Sequence, residues 1–357
     1  MIRVLARRSL DVTYFTRDPA RELEGVREGG PGWWLRGGGD STDPARVARV
    51  LTGTARARTV GYDLVVAAPR VVSVLVALDE GRANGVVAAH RVAVGAAIDY
   101  LEDRALVVRE RTGGETRTRA ARWESAVAFT HGVNRHAEPH LHDHVLVGAR
   151  PEGADVVLDA RALVAHTRAA DALYRATLRY EVARRAGFEV WRSFAGVEHV
   201  SDLDEGYRAL WPGHHAARGE KAHWERGEVV ERWRAERRRV VLVGARPAPT
   251  RHRATLDEHR FAGAFEGRLD VARRHVVAAW ADAAVFGQRA PEVVASVDVL
   301  YPELRGGRGV HEVTVGVPRA RMLERVAERG ARPLEPAALD AWSQRSRSRE
   351  RARERSW

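Results

Sequence analysis

The chain has 357 residues, a formal net charge of +11 and no cysteine. The length allows two domains or one large one, and the 45% apolar content supplies an ordinary core. Without cysteine, disulfides, thiolate catalysis and Cys-ligated zinc or iron–sulfur sites are excluded, so any metal must bind His, Asp or Glu. The charge favours a polyanionic partner such as nucleic acid.

One feature weakens the charge argument for nucleic acid, and another excludes a class of nucleic-acid enzyme. Lys221 is the only lysine among 59 basic residues, and a GC-rich genome can produce the same arginine bias. Lys221 lies between Glu220 and Ala222, so the chain has no Walker A loop and is not a P-loop ATPase or helicase. With no run of eighteen apolar residues and no secretory signal, the sequence predicts a cytoplasmic protein without a membrane span.

The predicted elements, taken in chain order, mix strands and helices. Strand signals come from β-branched runs and helix signals from apolar residues at helical spacing, with Asp159 and Gly187 as the two ends of one long helix. The elements are a short strand and a helix or turn over 2–15, a glycine-rich loop over 26–40, a strand over 59–69, a helix over 86–108, two hairpin strands over 124–133 and 141–149, a helix over 159–187, and mostly helix over 200–300 with a strand or linker at 237–249.

This order predicts an α+β fold in which helices pack on an antiparallel sheet. We expect one domain over 1–300, an extension over 301–340 and a disordered basic tail over 341–357, because the last segment is rich in arginine and nearly devoid of apolar residues. No repeat of solenoid period occurs.

Histidines cluster in the predicted hairpin, where five of the chain's 15 lie within residues 131–144. Side chains alternate along a strand, so His142 and His144 point to one face, and His131 on the neighbouring strand can join them. Three neutral imidazoles on an open face predict a divalent metal site with free positions for water or substrate. His136 and His140 lie in the loop, as bystanders or DNA contacts. A cupin-like site is disfavoured because no glutamate follows before Glu152.

Two stretches resemble the conjugative relaxases of the MobF, or TrwC/TraI, type, within the HUH endonuclease superfamily. They are "GYDLVVAAPRVVSVL" at 61–75 and "THGVNRHAEPHLHDHV" at 130–145, in which an eleven-residue step separates His131 from His142 and His144 follows two residues later. "GWWLRGGG" at 32–39 resembles a further family segment. The resemblance covers about the first 200 residues and weakens towards residue 300.

The resemblance implies a relaxase domain that nicks and rejoins one DNA strand at a transfer origin through a covalent 5′-phosphotyrosine intermediate. It implies Tyr14 as the nucleophile, a metal on His131, His142 and His144, and Asp63 as the residue that orients a metal-binding histidine or accepts the tyrosine proton. The family implies Mg²⁺ or Mn²⁺, while three imidazoles also suit Zn²⁺ or Ni²⁺.

The same resemblance implies single-stranded DNA as the partner, together with a separate helicase and a coupling protein. DNA contacts are expected from arginines and from tryptophans that stack on unpaired bases. The candidates are Arg70, Arg122, Arg135, Trp33 and Trp34.

Three departures from the family pattern keep alternatives open. Phe15 follows Tyr14, and Trp33 and Trp34 stand where further tyrosines are expected, which puts strand transfer by two tyrosines in doubt. Arg70 replaces the family's lysine, and Asp143 separates the two strand histidines. The first alternative is a catalytically decayed or accessory DNA-binding protein of the same fold. The second is a rolling-circle replication initiator, against which the 61–75 segment argues.

Overall fold

A computed structural model describes the fold over 1–8, 33–36, 59–134, 136–151, 156–193, 195–201, 203, 206–211, 226–239, 256–268 and 270–316. Its centre is a five-stranded sheet in the order β1-β3-β7-β6-β2. Every neighbouring pair is antiparallel. The strands are β1 (Ile2–Arg7), β2 (Trp33–Arg36), β3 (Gly61–Ala67), β6 (Ala126–Val133) and β7 (Pro139–Gly148).

Two long helices cover one face of this sheet, α2 (Glu80–Arg104) and α3 (Ala160–Ala186). Asp159 caps the start of α3 by accepting a hydrogen bond from the Arg161 backbone, and Gly187 ends the helix in the left-handed conformation with φ 70°. The two helices run antiparallel and approach closely at Gly85, where a Cβ would lie 2.7 Å from the Arg185 carbonyl oxygen.

The core lies between the sheet and these helices. The short helix α1 (Arg70–Leu78) begins directly after Pro69 and is buried along almost its entire length. From the sheet, every second residue of β3 and β7 points into the same core, including Leu64, Val66, Val145 and Val147, which are fully buried. The other face of the sheet is therefore the one on which β7 presents its alternate residues.

The remaining elements surround this two-layer unit. A two-stranded hairpin formed by β4 (Val107–Thr112) and β5 (Glu115–Ala120) follows α2. The later elements are β8 (Val190–Arg192), β9 (Glu198–Val200), α4 (Tyr207–Leu210), α5 (Arg226–Arg237), α6 (Glu258–Gly263), β10 (Val271–Ala272), α7 (Arg273–Ala283), α8 (Ala290–Leu300), a 3₁₀ turn (Pro302–Leu304) and β11 (Thr314–Val315). None of the described helices is long and apolar enough to cross a membrane.

The predicted α+β class and the antiparallel sheet are confirmed. Three predictions of local structure were wrong. His140, predicted in the loop, lies in β7, because pairing with β6 already begins at Pro139. Residues 33–36 belong to an edge strand that pairs with β6, because Trp-Trp-Leu favours strands more strongly than the flanking glycines favour a loop. The helix predicted over 86–108 begins six residues earlier and ends at Arg104, because Asp79 caps its start and the β-branched pair at 107–108 begins a strand.

Several predictions fall outside the described residues. These are the placement of Tyr14 and Arg135, the segment 240–249, and the basic tail at 341–357. For Trp33 and Trp34 the structure describes the strand but not the side chains. Residues 301–316 are described, and β11 pairs with β10 there.

Candidate metal centre

The hairpin of β6 and β7 brings three imidazoles together on the sheet face opposite the helices. His131 is paired directly with His142 across the two strands, and His144 follows two residues further on the same face. The ring centroids lie 5.0 Å apart for His131 and His142, 5.1 Å for His131 and His144, and 5.4 Å for His142 and His144. One ligand nitrogen from each ring lies within 4.8 Å of the other two.

Hydrogen bonds fix the orientation of two of these rings. The Nδ1 atom of His142 donates to the His140 carbonyl oxygen at 2.8 Å. The Nδ1 atom of His144 donates to the Asp63 carboxylate at 2.9 and 3.1 Å. Because Nδ1 carries the proton in both rings, the Nε2 lone pairs are available to a metal.

The electrostatic setting keeps His142 in its ligand form. Burial, and then the neighbouring His140 imidazole, lower the pKa of His142 well below its usual value. The pKa of His140 is itself lowered to about 4, first by burial and then by the nearby N-terminal ammonium and Arg70. Both rings are therefore neutral near pH 7, as metal coordination requires.

Asp63 lies behind the imidazole cluster on the adjacent strand. It is fully buried on β3, where Leu5 and Leu146 are its partners in the two neighbouring strands. Besides His144, it accepts a hydrogen bond from the Arg7 guanidinium. A carboxylate that is buried and doubly hydrogen-bonded in this way is a typical partner of a metal-ligating histidine.

The donor set fits a divalent metal. Three neutral nitrogen ligands converge from two strands, and the MobF resemblance noted above places the same residue types at this point. A set of three imidazoles without a carboxylate leaves coordination positions for oxygen ligands and suits Zn²⁺, Ni²⁺ or Mn²⁺ better than it suits Mg²⁺.

A second polar group on β7 has a role that the sequence did not predict. Asp143 points away from the imidazoles, into the core beneath the sheet, and is fully buried. There the Nε2 atom of His90, on α2, donates to Asp143 Oδ1 at 3.2 Å, and the Tyr174 hydroxyl of α3 donates to His90 Nδ1 at 2.7 Å. The odd position of Asp143 between two histidines was its only signal in the sequence.

The other predicted contact residues are only partly placed. Arg70 is the first residue of α1 and is half-buried, and burial lowers its pKa, with Glu138 as the nearest opposing charge. Arg122 is exposed in the segment between β5 and β6. Of the predicted site residues, the structure brings together His131, His142, His144 and Asp63.

The comparisons with known proteins agree with this geometry. The family model of the TrwC relaxase matches residues 16–240, which is more than half of the chain. The chain belongs to the TrwC relaxase family. Relaxases of this family are DNA-nicking enzymes of conjugative mobilisation. No curated protein matches the chain.

Solved structures of TrwC share the fold. One is TrwC in complex with oriT DNA, with 20% identity and a TM-score of 0.54, and another is its metal-bound complex, with 19% identity and a TM-score of 0.52. Each comparison covers 67% of this chain and 98% of the TrwC chain. A further similar structure is TrwC with a 27-mer DNA that comprises the recognition hairpin and the cleavage site. At these identities the likeness establishes the fold.

Proposed function

We propose that this chain nicks and rejoins a single DNA strand at a transfer origin, with a divalent metal held by His131, His142 and His144. The observation that carries the proposal is the convergence of three imidazoles, two of them oriented by hydrogen bonds, on one sheet face of a TrwC-family chain. The TrwC structures contain oriT DNA, and two of them hold a metal, which is copper in one, so they support the same substrate and a metal here.

The reaction we propose is a transesterification. The oxygen of Tyr14 attacks the scissile phosphorus as the phenol loses its proton, a tyrosine–phosphorus bond forms to the 5′ phosphate of the downstream fragment, and the bond from phosphorus to the 3′ oxygen of the upstream fragment breaks. The 3′ oxygen leaves as a hydroxyl after it takes up a proton, and rejoining is the reverse, so no nucleotide triphosphate is needed. We select Tyr14 on the sequence resemblance, because it lies outside the described residues.

A phenol with a pKa near 10 is a poor nucleophile at neutral pH, so the scissile phosphate must be made more electrophilic. A bound divalent metal supplies that polarisation of the phosphoryl oxygens. We assign Asp63 the role of orienting His144, because its carboxylate already accepts hydrogen bonds from both His144 and Arg7. Both carboxylate oxygens already accept these hydrogen bonds, which favours the orienting role over acceptance of the tyrosine proton.

The metal, the DNA contacts, the partners and the domain bounds that we propose are those that the sequence analysis predicts. On the family resemblance we propose Mg²⁺ or Mn²⁺ as the physiological metal, because metal availability as well as ligand preference decides which ion fills a site, and Zn²⁺ or Ni²⁺ can occupy the same imidazoles in a purified sample. Arg70, Arg122, Arg135, Trp33 and Trp34 contact the DNA, and a separate helicase and coupling protein act with the chain in the cytoplasm. We propose residues 1–300 as the nicking domain, followed by the extension and the basic tail.

The test is a search for the covalent intermediate. Labelled single-stranded oligonucleotides tiled across the DNA beside the gene are incubated with the protein and Mn²⁺, or with EDTA, and separated on a denaturing gel. We expect a metal-dependent adduct with the mass of the protein plus the 3′ fragment. The Tyr14→Phe variant, which keeps the ring and removes the nucleophilic oxygen, should form none.

A second candidate function follows from Phe15, Trp33 and Trp34, which stand where the family has further tyrosines. It is an accessory DNA-binding protein that keeps the fold and the metal but has lost cleavage. Tight DNA binding without any adduct would favour this candidate, and an adduct would exclude it.

A further inference from the structure

A positively charged site lies away from the metal centre, where the base of the β4–β5 hairpin meets the loop at 305–311. The cleft there has a volume of about 430 Å³ and is open to solvent. Its polar lining comes from the end of α2, from β5 and from the loop; we call it the arginine cleft. The lining residues used below are Arg104, Thr118, Arg305, Gly307, Arg308 and His311.

Positive charge dominates this cleft. Three guanidinium groups line it, and none of its lining residues carries a carboxylate. Within the described residues, the only ion pair recorded for Arg308 is with Asp103 at 3.4 Å, between two half-exposed side chains. The buried Nε atom of Arg104 has no hydrogen-bond partner in the described part of the chain. The guanidinium groups that reach solvent, on exposed Arg305 and half-exposed Arg308, are donors of the kind that a phosphate group accepts.

Several hydrogen bonds hold the loop in place, and one of them comes from a cleft arginine, since Arg305 Nε donates to the Asp298 carbonyl oxygen at 2.7 Å. The Gly309 backbone donates to the Arg104 carbonyl oxygen at 2.8 Å, and His166 donates to the Gly309 carbonyl oxygen at 2.9 Å. Gly307 has φ 77°, and a Cβ at that position would collide with the His311 carbonyl oxygen. The loop therefore presents Arg305 and Arg308 in a fixed arrangement, which reduces the entropic cost of binding.

The hairpin continues the positive surface on the same side. Arg109 is paired with Thr118, and Arg111 with Thr116, so both arginines share the hairpin face that lines the cleft. Of these two, Arg109 has an ion pair with Asp159.

The opposite face of the hairpin is neutralised internally. There Arg119 pairs with Glu110 at 2.8 Å and Arg117 with Glu115 at 3.3 Å. The hairpin therefore has a positive side and a balanced side, and the positive side faces the cleft.

We propose that the arginine cleft binds the phosphodiester backbone of the DNA on which the chain acts, at a place separate from the metal centre. This rests on the proposed function, which supplies DNA as the substrate. The open shape favours a polymer that passes through over a small anion that must be enclosed. Arg305, Arg308 and His311 lie outside the residues that the family model matches, so the cleft joins the relaxase unit to the segment that follows it.

The experiment measures the salt dependence of DNA binding. Arg305→Ala/Arg308→Ala is compared with wild type by fluorescence anisotropy, on mixed-sequence single-stranded and duplex oligonucleotides in EDTA. Each lost phosphate contact should lower the slope of log K against log salt by about 0.7 for a single strand and about 0.9 for a duplex. We expect a total loss of roughly 1.4 to 1.8 from the two substitutions.

The matched control is Arg82→Ala/Arg184→Ala, which removes the same charge. Arg82 lies at the start of α2 and Arg184 near the end of α3, roughly 30 Å from the cleft along these helices. Glu181 keeps Arg185 as its partner in this variant. The control should bind with the wild-type slope. If the slope falls equally in both variants, the effect comes from the overall charge of the protein, and the proposal is wrong. An unchanged slope in the cleft variant would overturn it as well.

Calorimetry with inorganic phosphate alone distinguishes a free-anion site. If phosphate binds wild type but not the cleft variant while DNA binding is unchanged, the site takes a free anion and the DNA assignment is wrong. If wild type binds no oligonucleotide, the proposal also fails. Because the titration is done in EDTA and needs no cleavage, its outcome is independent of whether the chain nicks DNA.

Discussion

The two faces of β7 carry polar residues in different settings. On the sheet face opposite the helices, His142 and His144 meet His131, and one ring nitrogen of each lies within 4.8 Å of the other two. On the helix face, Asp143 is surrounded by protein and bonded to His90, which is bonded in turn to Tyr174. One face has donor atoms available to a ligand, while the other consumes them in internal hydrogen bonds.

Because side chains alternate between the two faces of a strand, neighbouring residues of β7 can have different roles. The ligand face brings three imidazole nitrogens close enough together for one metal ion. The helix face fixes the backbone of β7 to α2 and α3, 53 and 31 residues away in sequence from Asp143 respectively. Substitutions on the first face should therefore alter metal binding, and substitutions on the second should alter stability.

The largest effect is expected on the ligand face. The His131→Ala/His142→Ala/His144→Ala variant removes every proposed ligand, so Mn²⁺ affinity should fall by more than about 100-fold, beyond the range seen when only supporting residues are lost. Isothermal titration calorimetry measures the affinity, and far-ultraviolet circular dichroism checks that the fold is retained. Metal binding at wild-type affinity would place the metal elsewhere.

The second-largest effect is expected on the helix face, as a loss of stability. His90→Ala removes a fully buried partner of Asp143, and we expect the free energy of unfolding to fall by about 3 kcal/mol, as for other buried pairs that lose one member. Urea denaturation measures the loss. Mn²⁺ affinity should stay within a few-fold of wild type, and a loss as large as that of the ligand variant would show that the two faces are not separable.

A smaller effect is expected where a residue supports the ligand face. Asp63→Asn keeps the shape of the side chain but removes the charge that orients His144 and pairs with Arg7. Mn²⁺ affinity should fall by about 10- to 100-fold. Calorimetry under the same conditions as for the ligand variant gives the comparison, and an unchanged affinity would contradict the orienting role.

The smallest effect is the loss of one hydroxyl. Tyr174→Phe removes the donor to His90 Nδ1 while it keeps the buried ring. The free energy of unfolding should fall by about 1 kcal/mol, and less than for His90→Ala. A double-mutant cycle with His90→Ala checks that the two residues act through one hydrogen bond, in which case the two losses will not add.

Local patterns in the sequence were enough to predict part of this structure. The i, i+2 spacing placed His142 and His144 on one face, and the hairpin placed His131 beside them. Asp159 and Gly187 marked the ends of α3 because capping depends on residues next to each other in the chain. The metal-binding roles of the three histidines, and the orienting role of Asp63, remain proposals.

Long-range contacts could not be predicted from local patterns. The partners of Asp143 lie on two separate helices, and Arg7 reaches Asp63 from a strand 56 residues away. The arginine cleft joins residues 104 to 311, and no periodicity or motif connects them. Trp33 and Trp34 read as part of a loop because the glycines around them hid a four-residue edge strand.

The most direct test of the account is the cleavage of one oligonucleotide by two proteins. Wild type and the triple histidine variant are each incubated with Mn²⁺ and with EDTA, and the covalent adduct is measured over time. We predict that only wild type with Mn²⁺ accumulates the adduct. Equal adduct formation by the histidine variant, or by wild type in EDTA, would contradict the claim that the three imidazoles and their metal carry the nicking reaction.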